Sequence, residues 1–473
     1  MGFSIKNSNE RIFLVFYSLA QFVVILLCIL LGDLKLGLKL GLLLFFLNAG
    51  ILFLNNPKIL FLFYVLTIPM ASGLVVLSPF YTRFSGLYLE VPNVFAIYNA
   101  LARPEGIYIY NLMEILLLLS LFLYAFKRDY KLKFHNLLIF SLFFCFASSL
   151  SIITALNPVR AVFQNIHLFL SLIMFIFALQ VWNGDERYEK LVLFVMVFLI
   201  LVTVIDVVNL KALKMLMRGT LLVRATGRFN TPNPPAFLAG MGVLFAFYLG
   251  LKSKFPLNFL SYTLIFVFML VILCTGSRNG LISTFVSLFF FLFLLNFSHK
   301  KSKNYFIPFF LVIIVIVLYR LGRGLIQLRL NPKLLAYDTS VFSRLLMWRN
   351  SISYILRHPF EPVGTGCFFY FNGSLGMPFA HNFLINTLIE SGIVPFIMLL
   401  AAYITALMKI VRKVFQVTRG ANINLEEIVG LTFILYIISV FTFDQFLYDG
   451  SLWRFMVVFL SFSISKLWKE DSA

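Results

Sequence analysis

The chain has 473 residues, 61% of them apolar and only 12% charged, with a mean hydropathy of +0.95. An average soluble domain carries about 25% charged residues, so a water-soluble enzyme and a disordered chain are both excluded. What remains is an all-α polytopic membrane protein. The second unusual quantity is a net charge of +20, from 39 Lys and Arg against 19 Asp and Glu.

In chain order, a short polar start (Lys6, Glu10, Arg11) leads into an apolar run over 12–31. That run is too long for a signal-peptide core and lacks a small-residue cleavage site, so it reads as a first transmembrane helix. A crossing helix needs about 20 apolar residues. Further runs meet or approach that length at 36–54, 59–78, 107–126, 136–156, 159–182, 190–208, 235–251, 257–276, 279–297, 305–319, 382–408, 427–444 and 451–466. The weakest are 36–54, which contains Lys39, and the short 305–319. The expectation is therefore about 12–14 transmembrane helices.

Orientation follows from Lys and Arg in short loops. With both termini cytoplasmic, every dense short basic loop falls on that face: Lys127 to Lys133, Lys252 with Lys254, Lys300 to Lys303, Lys409 to Arg419, and Lys466 with Lys469. The four cysteines are scattered, with no CxxC or Cys/His ligand spacing, which argues against a zinc site or a disulfide scaffold.

Two outer segments break the charge rule. Segment 209–234 carries Lys211, Lys214, Arg218, Arg224 and Arg228 with no acid. The long segment 320–381 carries Arg320, Arg323, Arg329, Lys333, Arg344, Arg349 and Arg357 against Asp338 and Glu361. Two readings stand: amphipathic helices on anionic headgroups, or a site for a multiply charged anion. Arginine suits the second because its planar fork binds phosphate oxygens in pairs and stays charged. Outer loop 79–106 is charge-balanced (Arg83, Glu90, Arg103, Glu105) and carries no such signal.

Segment 320–381 is also long for a connection, yet it carries helical periodicity. Over 341–356 the spacing puts Leu345, Trp348, Ile352 and Ile355 on one face. Arg357-His358-Pro359 ends that helix, and the turn-rich Pro362-Val363-Gly364-Thr365-Gly366 follows.

Four blocks set polar residues where a membrane disfavours them. In Arg224 to Pro235, Asn233 with the prolines reads as a helix start, which leaves Arg224 and Arg228 unexplained. In Thr275-Gly276-Ser277-Arg278-Asn279-Gly280, Arg278 lies at the outer surface and is either a snorkelling or capping residue or an anion ligand. Arg344 and Trp348 are four apart and share a face, as a packing cation–π pair or part of a site. His381-Asn382 opens a span beside the arginine-rich loop, and a neutral imidazole there is what a general base needs. Asp444 and Asp449 flank the last outer turn, placed either to orient a histidine or to pair an arginine.

Together these blocks resemble the O-antigen ligase/polymerase superfamily of bacterial inner-membrane glycosyltransferases. The residues are Gly227 to Asn233 for a G-x-x-x-x-P-N-like segment and Thr275-Gly276-Ser277-Arg278 for T-x-S-R. Arg344 to Trp348 stand for R-x-x-x-W, Pro362 to Gly366 for P-x-G-x-G, and His381-Asn382 for H-N. Order and setting around one outer loop match as well, over roughly residues 220–450. Asn279 departs from the pattern, which usually has a small residue there.

The resemblance implies a GT-C-type fold with one large, partly helical periplasmic loop and a polyprenyl-diphosphate-linked glycan as donor. The acceptor is lipid A-core for a ligase, a second glycan unit for a polymerase, or a protein hydroxyl. It maps the important arginines onto Arg278 and Arg344 and the important histidine onto His381. Arg224, Arg228 and Arg349 are further candidates for the diphosphate, with Trp348, Asn382 and Asp444 in support. No DxD motif occurs, and no metal, cofactor or nucleic acid is expected. The organisation expected is N-terminal transmembrane helices over 1–208, a ligase-like region over 209–466 containing loop 320–381, and a cytoplasmic tail over 467–473. The site would face the periplasm of a bacterial inner membrane. A lipid-linked oligosaccharide flippase is the alternative. It should carry charges inside several spans and short loops on both sides, whereas this chain gathers its unexpected arginines around one long outer loop.

Overall fold

A computed structural model describes residues 57–68, 75–77, 107–128, 136–182, 186–209, 225–226, 231–298, 339–375, 379–421, 423–443 and 450–467, with a few isolated positions. Expected spans 12–31, 305–319 and nearly all of 36–54 lie outside these residues, as do Arg224, Arg228 and Asp444. The described residues form thirteen α-helices, seven of them long and apolar enough to cross a membrane. The chain is an all-helical polytopic membrane protein apart from one small ribbon. Contacts divide it into two compact units, residues 1–78 with 106–131, and residues 79–105 with 132–473.

The smaller unit contains α1 (Pro57–Thr67), the antiparallel pair β1 (Val75–Leu77) and β2 (Ile107–Tyr108), and α2 (Ile109–Arg128). Glu114 is fully buried on α2, a costly position that needs a partner. Tyr64 Oη donates to its Oε1 at 3.3 Å.

The larger unit holds α3 (Asn136–Ser149), α4 (Pro158–Val181), α5 (Glu186–Val204), α6 (Asn233–Lys252), α7 (Leu257–Thr275), α8 (Arg278–Ser298), α9 (Thr339–Arg357), α10 (Phe383–Ser391), α11 (Ile393–Thr418), α12 (Leu425–Phe443) and α13 (Gly450–Leu467). The central helix is α6. It is apolar on every side, as an enclosed helix should be, and 94% of its most apolar stretch is buried among α5, α7, α8 and α12. Tyr436 Oη of α12 donates to Phe237 O of α6 at 2.8 Å. Ser283 of α8 and Ser439 of α12 share a 2.9 Å hydrogen bond. In an apolar bundle such side-chain bonds fix helix register.

One end of this unit is ionic. Lys252, in the last turn of α6, pairs with Glu426 of α12 and with Glu186 of α5, the latter at 3.0 Å. Lys466 of α13 meets Glu189 of α5 at 2.5 Å, and Lys413 of α11 meets Glu427 at 3.8 Å. The helix ends that the charge pattern assigns to one face therefore gather at one end. The polar blocks lie at the other, because Asn233 and Lys252 are opposite ends of α6.

Three expectations are corrected. Run 382–408 is not one span: it breaks at Gly392, whose φ of 94° ends α10 after nine residues and starts α11 afresh. The predicted face of α9 is only partly inward: Trp348 and Ile355 pack against the loop's core, but Leu345 and Ile352 do not. Those two are about half exposed, while Met347 and Ser351 are fully buried. Both faces carry apolar residues, so periodicity alone picks no winner. Asn233 is not a cap. It is the first residue of α6, and its Oδ1 accepts from Ser277 Oγ at 2.8 Å.

The described part of the long loop has its own core. Met347 of α9, Val363, Cys367, Phe368, Ala380 and Ile389 of α10 bury one another against Ala161 in the first turn of α4. A satellite cluster under a long connection explains why this segment is ordered. Gly364 and Gly366 permit it, with φ of 98° and 78°, backbone that favours glycine. A Cβ on Gly364 would stand 2.4 Å from Ala155 Cβ, so this turn admits no side chain. Around it, Leu156 N–H donates to Val363 O at 2.9 Å and Val363 N–H to Ile389 O at 3.0 Å.

Candidate active site

The T-G-S-R block is a two-residue corner. Gly276 closes α7 in left-handed backbone, φ 58°, its N–H donating to Leu273 O at 3.0 Å, a common helix end. Ser277 caps α8, with Gly280 N–H donating to its Oγ at 3.3 Å, and the same hydroxyl donates to Asn233. Arg278 is thus the first residue of α8, fixed at the polar end of the bundle, with its Nε buried. The small residue this corner needs is Gly280, not position 279: a Cβ at 280 would lie 2.5 Å from Ala236 Cβ. Asn279 is partly exposed.

His381 is set by its neighbours. Its φ is 53°, a sparsely populated region for a residue with a side chain, held only when the surroundings over-determine it. Ala380, fully buried, is clamped from both sides. Its N–H donates to Asn386 Oδ1 at 3.0 Å, and its carbonyl accepts from Trp348 Nε1 at 2.6 Å. Asn382 caps α10 by accepting Ile385 N–H at 3.0 Å and donates through Nδ2 to Thr442 O at 2.9 Å. The imidazole meets the Phe379 ring edge-on at 4.7 Å. The R-x-x-x-W helix and the H-N block are thereby one assembly.

Both assemblies lie toward the same end of α12. Arg278 lies five residues beyond the Ser283–Ser439 bond along α8. Thr442, which anchors Asn382, lies three residues beyond it along α12. At 1.5 Å per residue these are rises of about 7 Å and about 5 Å, so Arg278 and the H-N block stand at nearly one height.

Arg344 shares the partly buried side of α9 with Trp348, and its Nε is buried. Arg349 lies on the exposed side, so the structure does not bring it to that face. Among the described residues no three His, Cys, Asp or Glu gather as a metal ion would require.

Sequence reasoning missed a buried polar group beneath the satellite core. Glu390, on α10, is 2% exposed and its Oε1 accepts Phe368 N–H at 2.9 Å. Burial pushes its carboxyl up to about 8, against the Phe368 and Gly366 N–H groups and the Arg160 guanidinium, which favour the charged form. Arg160, in the first turn of α4, is 5% exposed and lies over the Tyr370 ring at 5.6 Å. The signal was available: an acid and an arginine inside apolar runs, the criterion that singled out Arg278.

Glu390→Gln keeps an oxygen for Phe368 N–H and should stay folded. Glu390→Ala leaves that donor unsatisfied and should cost about 1–3 kcal/mol, read as a lower midpoint in thermal unfolding in detergent. The pH sign follows from linkage. A carboxyl held above its unfolded value of 4.5 keeps its proton in the folded state between pH 4.5 and about 8, so the unfolded state binds fewer protons. Stability contributed by Glu390 therefore falls as pH rises through that window, and Glu390→Gln should flatten the slope.

The comparison with known families bears on this region. Residues 262–400 match the O-antigen ligase family (Wzy_C). Over that stretch the chain resembles the O-antigen ligases. The match runs from within α7 through the Arg278 corner, α9, the glycine turn and the His381 clamp into α11, and it supports the O-antigen ligase/polymerase superfamily that the five blocks resemble. No curated protein matches the chain. The O-antigen ligase resemblance indicates a membrane enzyme of ligase or polymerase type acting on glycan substrates.

Proposed function

We propose that the protein transfers a glycan from a polyprenyl diphosphate to an acceptor hydroxyl at the outer face of a bacterial inner membrane, as a ligase to lipid A-core or as a polymerase. The observation that carries this reading is that Arg278 and the clamped His381 both stand toward the same end of α12, inside the segment that matches the O-antigen ligases.

In this mechanism the acceptor oxygen attacks the anomeric carbon of the donor. The bond from that carbon to the diphosphate oxygen breaks, and polyprenyl diphosphate leaves with the electron pair. Arg278 and Arg344 hold the diphosphate and stabilise the charge that grows on it. His381 takes the proton from the acceptor hydroxyl. Trp348, Asn386 and Asn382 are positioning residues, acting through the backbone on either side of His381. Arg224, Arg228 and Asp444 remain proposed contributors on sequence grounds.

The test is transfer in proteoliposomes given purified lipid-linked donor together with lipid A-core, and separately with a second lipid-linked unit. A new glycosidic bond with release of polyprenyl diphosphate is expected with one acceptor. Donor that merely exchanges leaflets with no bond formed would be the result of a transporter and would end this reading.

A further inference from the structure

We propose that Glu390 is a positioning residue for His381, joining the glycine turn to α10 and tightening the clamp on Ala380 through Asn386; this rests on the functional reading above.

The turn is the first argument. It is tied to the last residues of α10 at three points. Val363 N–H donates to Ile389 O at 3.0 Å, Phe368 N–H donates to Glu390 Oε1 at 2.9 Å, and the Thr365 and Ser391 hydroxyls share a 3.4 Å hydrogen bond. The Gly366 N–H also acts on the Glu390 carboxyl. What the turn holds is therefore α10, the helix that Asn382 caps and that carries Asn386.

Register is the second argument. Asn386 and Glu390 are four apart on α10 and share a face. The Asn386 amide stands between two groups. Its Oδ1 accepts Ala380 N–H at 3.0 Å, and its side chain lies beside the Glu390 carboxyl, favouring the charged form. Ala380 in turn precedes His381, whose left-handed backbone it holds. A line of single contacts thus runs from Phe368 through Glu390, Asn386 and Ala380 to His381.

The third argument is a surplus of donors. Asn386 and Ser148 are fully buried and Glu390 is nearly so. Asn386 Nδ2, Ser148 Oγ and Arg160 Nε close no hydrogen bond among the described residues, although buried donors are ordinarily paired. Ser148, Gln164, Thr365, Asn386, Glu390 and Ser391 surround a polar cavity of about 10 Å³, which leaves room for these groups to close up. A neutral carboxyl attracts such donors weakly, whereas a carboxylate makes bonds roughly twice as strong. Loss of the Glu390 proton therefore draws in Asn386 Nδ2 and polarises the amide. Its Oδ1 then becomes a better acceptor for Ala380 N–H.

The surroundings of the carboxyl are otherwise weakly charged. After burial, the groups that act on it most strongly are the Phe368 and Gly366 N–H groups, Arg160 of α4 and Asn386, with none from α9, α11 or α12. Helix α3 and the turn present Ser148 and Thr365. Burial opposes these donors, so the proton leaves at about 8. The clamp is looser below that pH and tighter above it.

The experiment compares the full-length wild type with Glu390→Gln, which mimics the neutral carboxyl, at about pH 6.5 and about pH 9, on either side of that transition. Hydrogen exchange of the peptide containing Ala380 is read by mass spectrometry without substrate, so this readout needs no turnover. The variant should match wild type at the lower pH and exchange roughly tenfold faster at the higher, the scale of one hydrogen bond. In glycan transfer, kcat should show the same split, with KM for the donor unchanged. In an Asn386→Ala background, Glu390→Gln should have no further effect, because the two act in series. Should Asn386→Ala fail to fold, Asn386→Ser serves. Equal exchange at both pH values, or the same loss at both, makes Glu390 a packing residue only and overturns the proposal. Glycan transfer with parallel pH profiles in wild type and Glu390→Gln also overturns it and leaves the function standing. The pH-dependent difference in exchange without transfer in wild type supports the link from Glu390 to Ala380 and removes the function.

Discussion

His381→Ala should lower glycan transfer by about 10²- to 10⁴-fold, the usual contribution of a general base, with donor binding unchanged. The fold should survive, because what shapes this corner is backbone: Ala380 is held by Asn386 and Trp348, and Asn382 caps α10 through its own side chain. His381→Asn is the sharper companion, since asparagine tolerates the left-handed conformation but supplies no base. Trp348→Phe keeps the ring and removes only the donor to Ala380 O. Its loss should be smaller, about tenfold for one weakened positioning contact, and should fall on kcat with little change in KM. Purified variants assayed over a pH series decide the matter. If His381→Ala turns over at the wild-type rate, the base is elsewhere.

Arg278→Ala and Arg344→Ala should each cost about 10²- to 10³-fold in kcat, as the loss of one donor to a developing oxyanion does elsewhere, and should also weaken donor binding. Arg278→Lys should recover only part of this, because an ammonium is a point charge without the paired donors of a guanidinium. The double variant should fall short of the product of the single effects if both arginines grip one diphosphate. Arg349→Ala supplies the contrast. It lies on the exposed side of α9, and its removal should change turnover less than threefold, about the scale of an exposed charge. A large effect at Arg349 with none at Arg278 would relocate the anion to the outside of the loop.

The blocks around this site are readable in the chain because each sets a polar residue against a strong apolar background. Arg278 between two spans and His381 at the head of a further apolar run stand out for that reason. The Gly392 break does not. A single glycine inside an apolar run costs about 1 kcal/mol in a helix and ordinarily leaves it continuous, so 382–408 reads as one crossing. Pro395, in the first turn of α11, is a local mark of the restart, but the run is long and apolar enough to hide it. The buried side of α9 is hidden for a related reason. Leu345 and Ile352 are as apolar as Met347 and Ile355, and what decides between the two faces is a partner core assembled from residues 363–389, distant in sequence. Asn233 shows the limit of local rules. Beside two prolines it has every mark of a cap, but its oxygen accepts from Ser277, forty-four positions on.

The long outer segment has a hydrophobic core of its own, closed on α4 at Ala161 and distinct from the interior of the bundle around α6. Local stability follows local contacts, so the two need not fail together. A preparation that has lost the smaller core retains nearly all its helical signal, since the spanning helices are untouched, yet it has released Ala380 and with it the geometry of His381. Helical content is therefore a poor index of competence for this protein. Glycan transfer should be lost in detergent before the helical signal is.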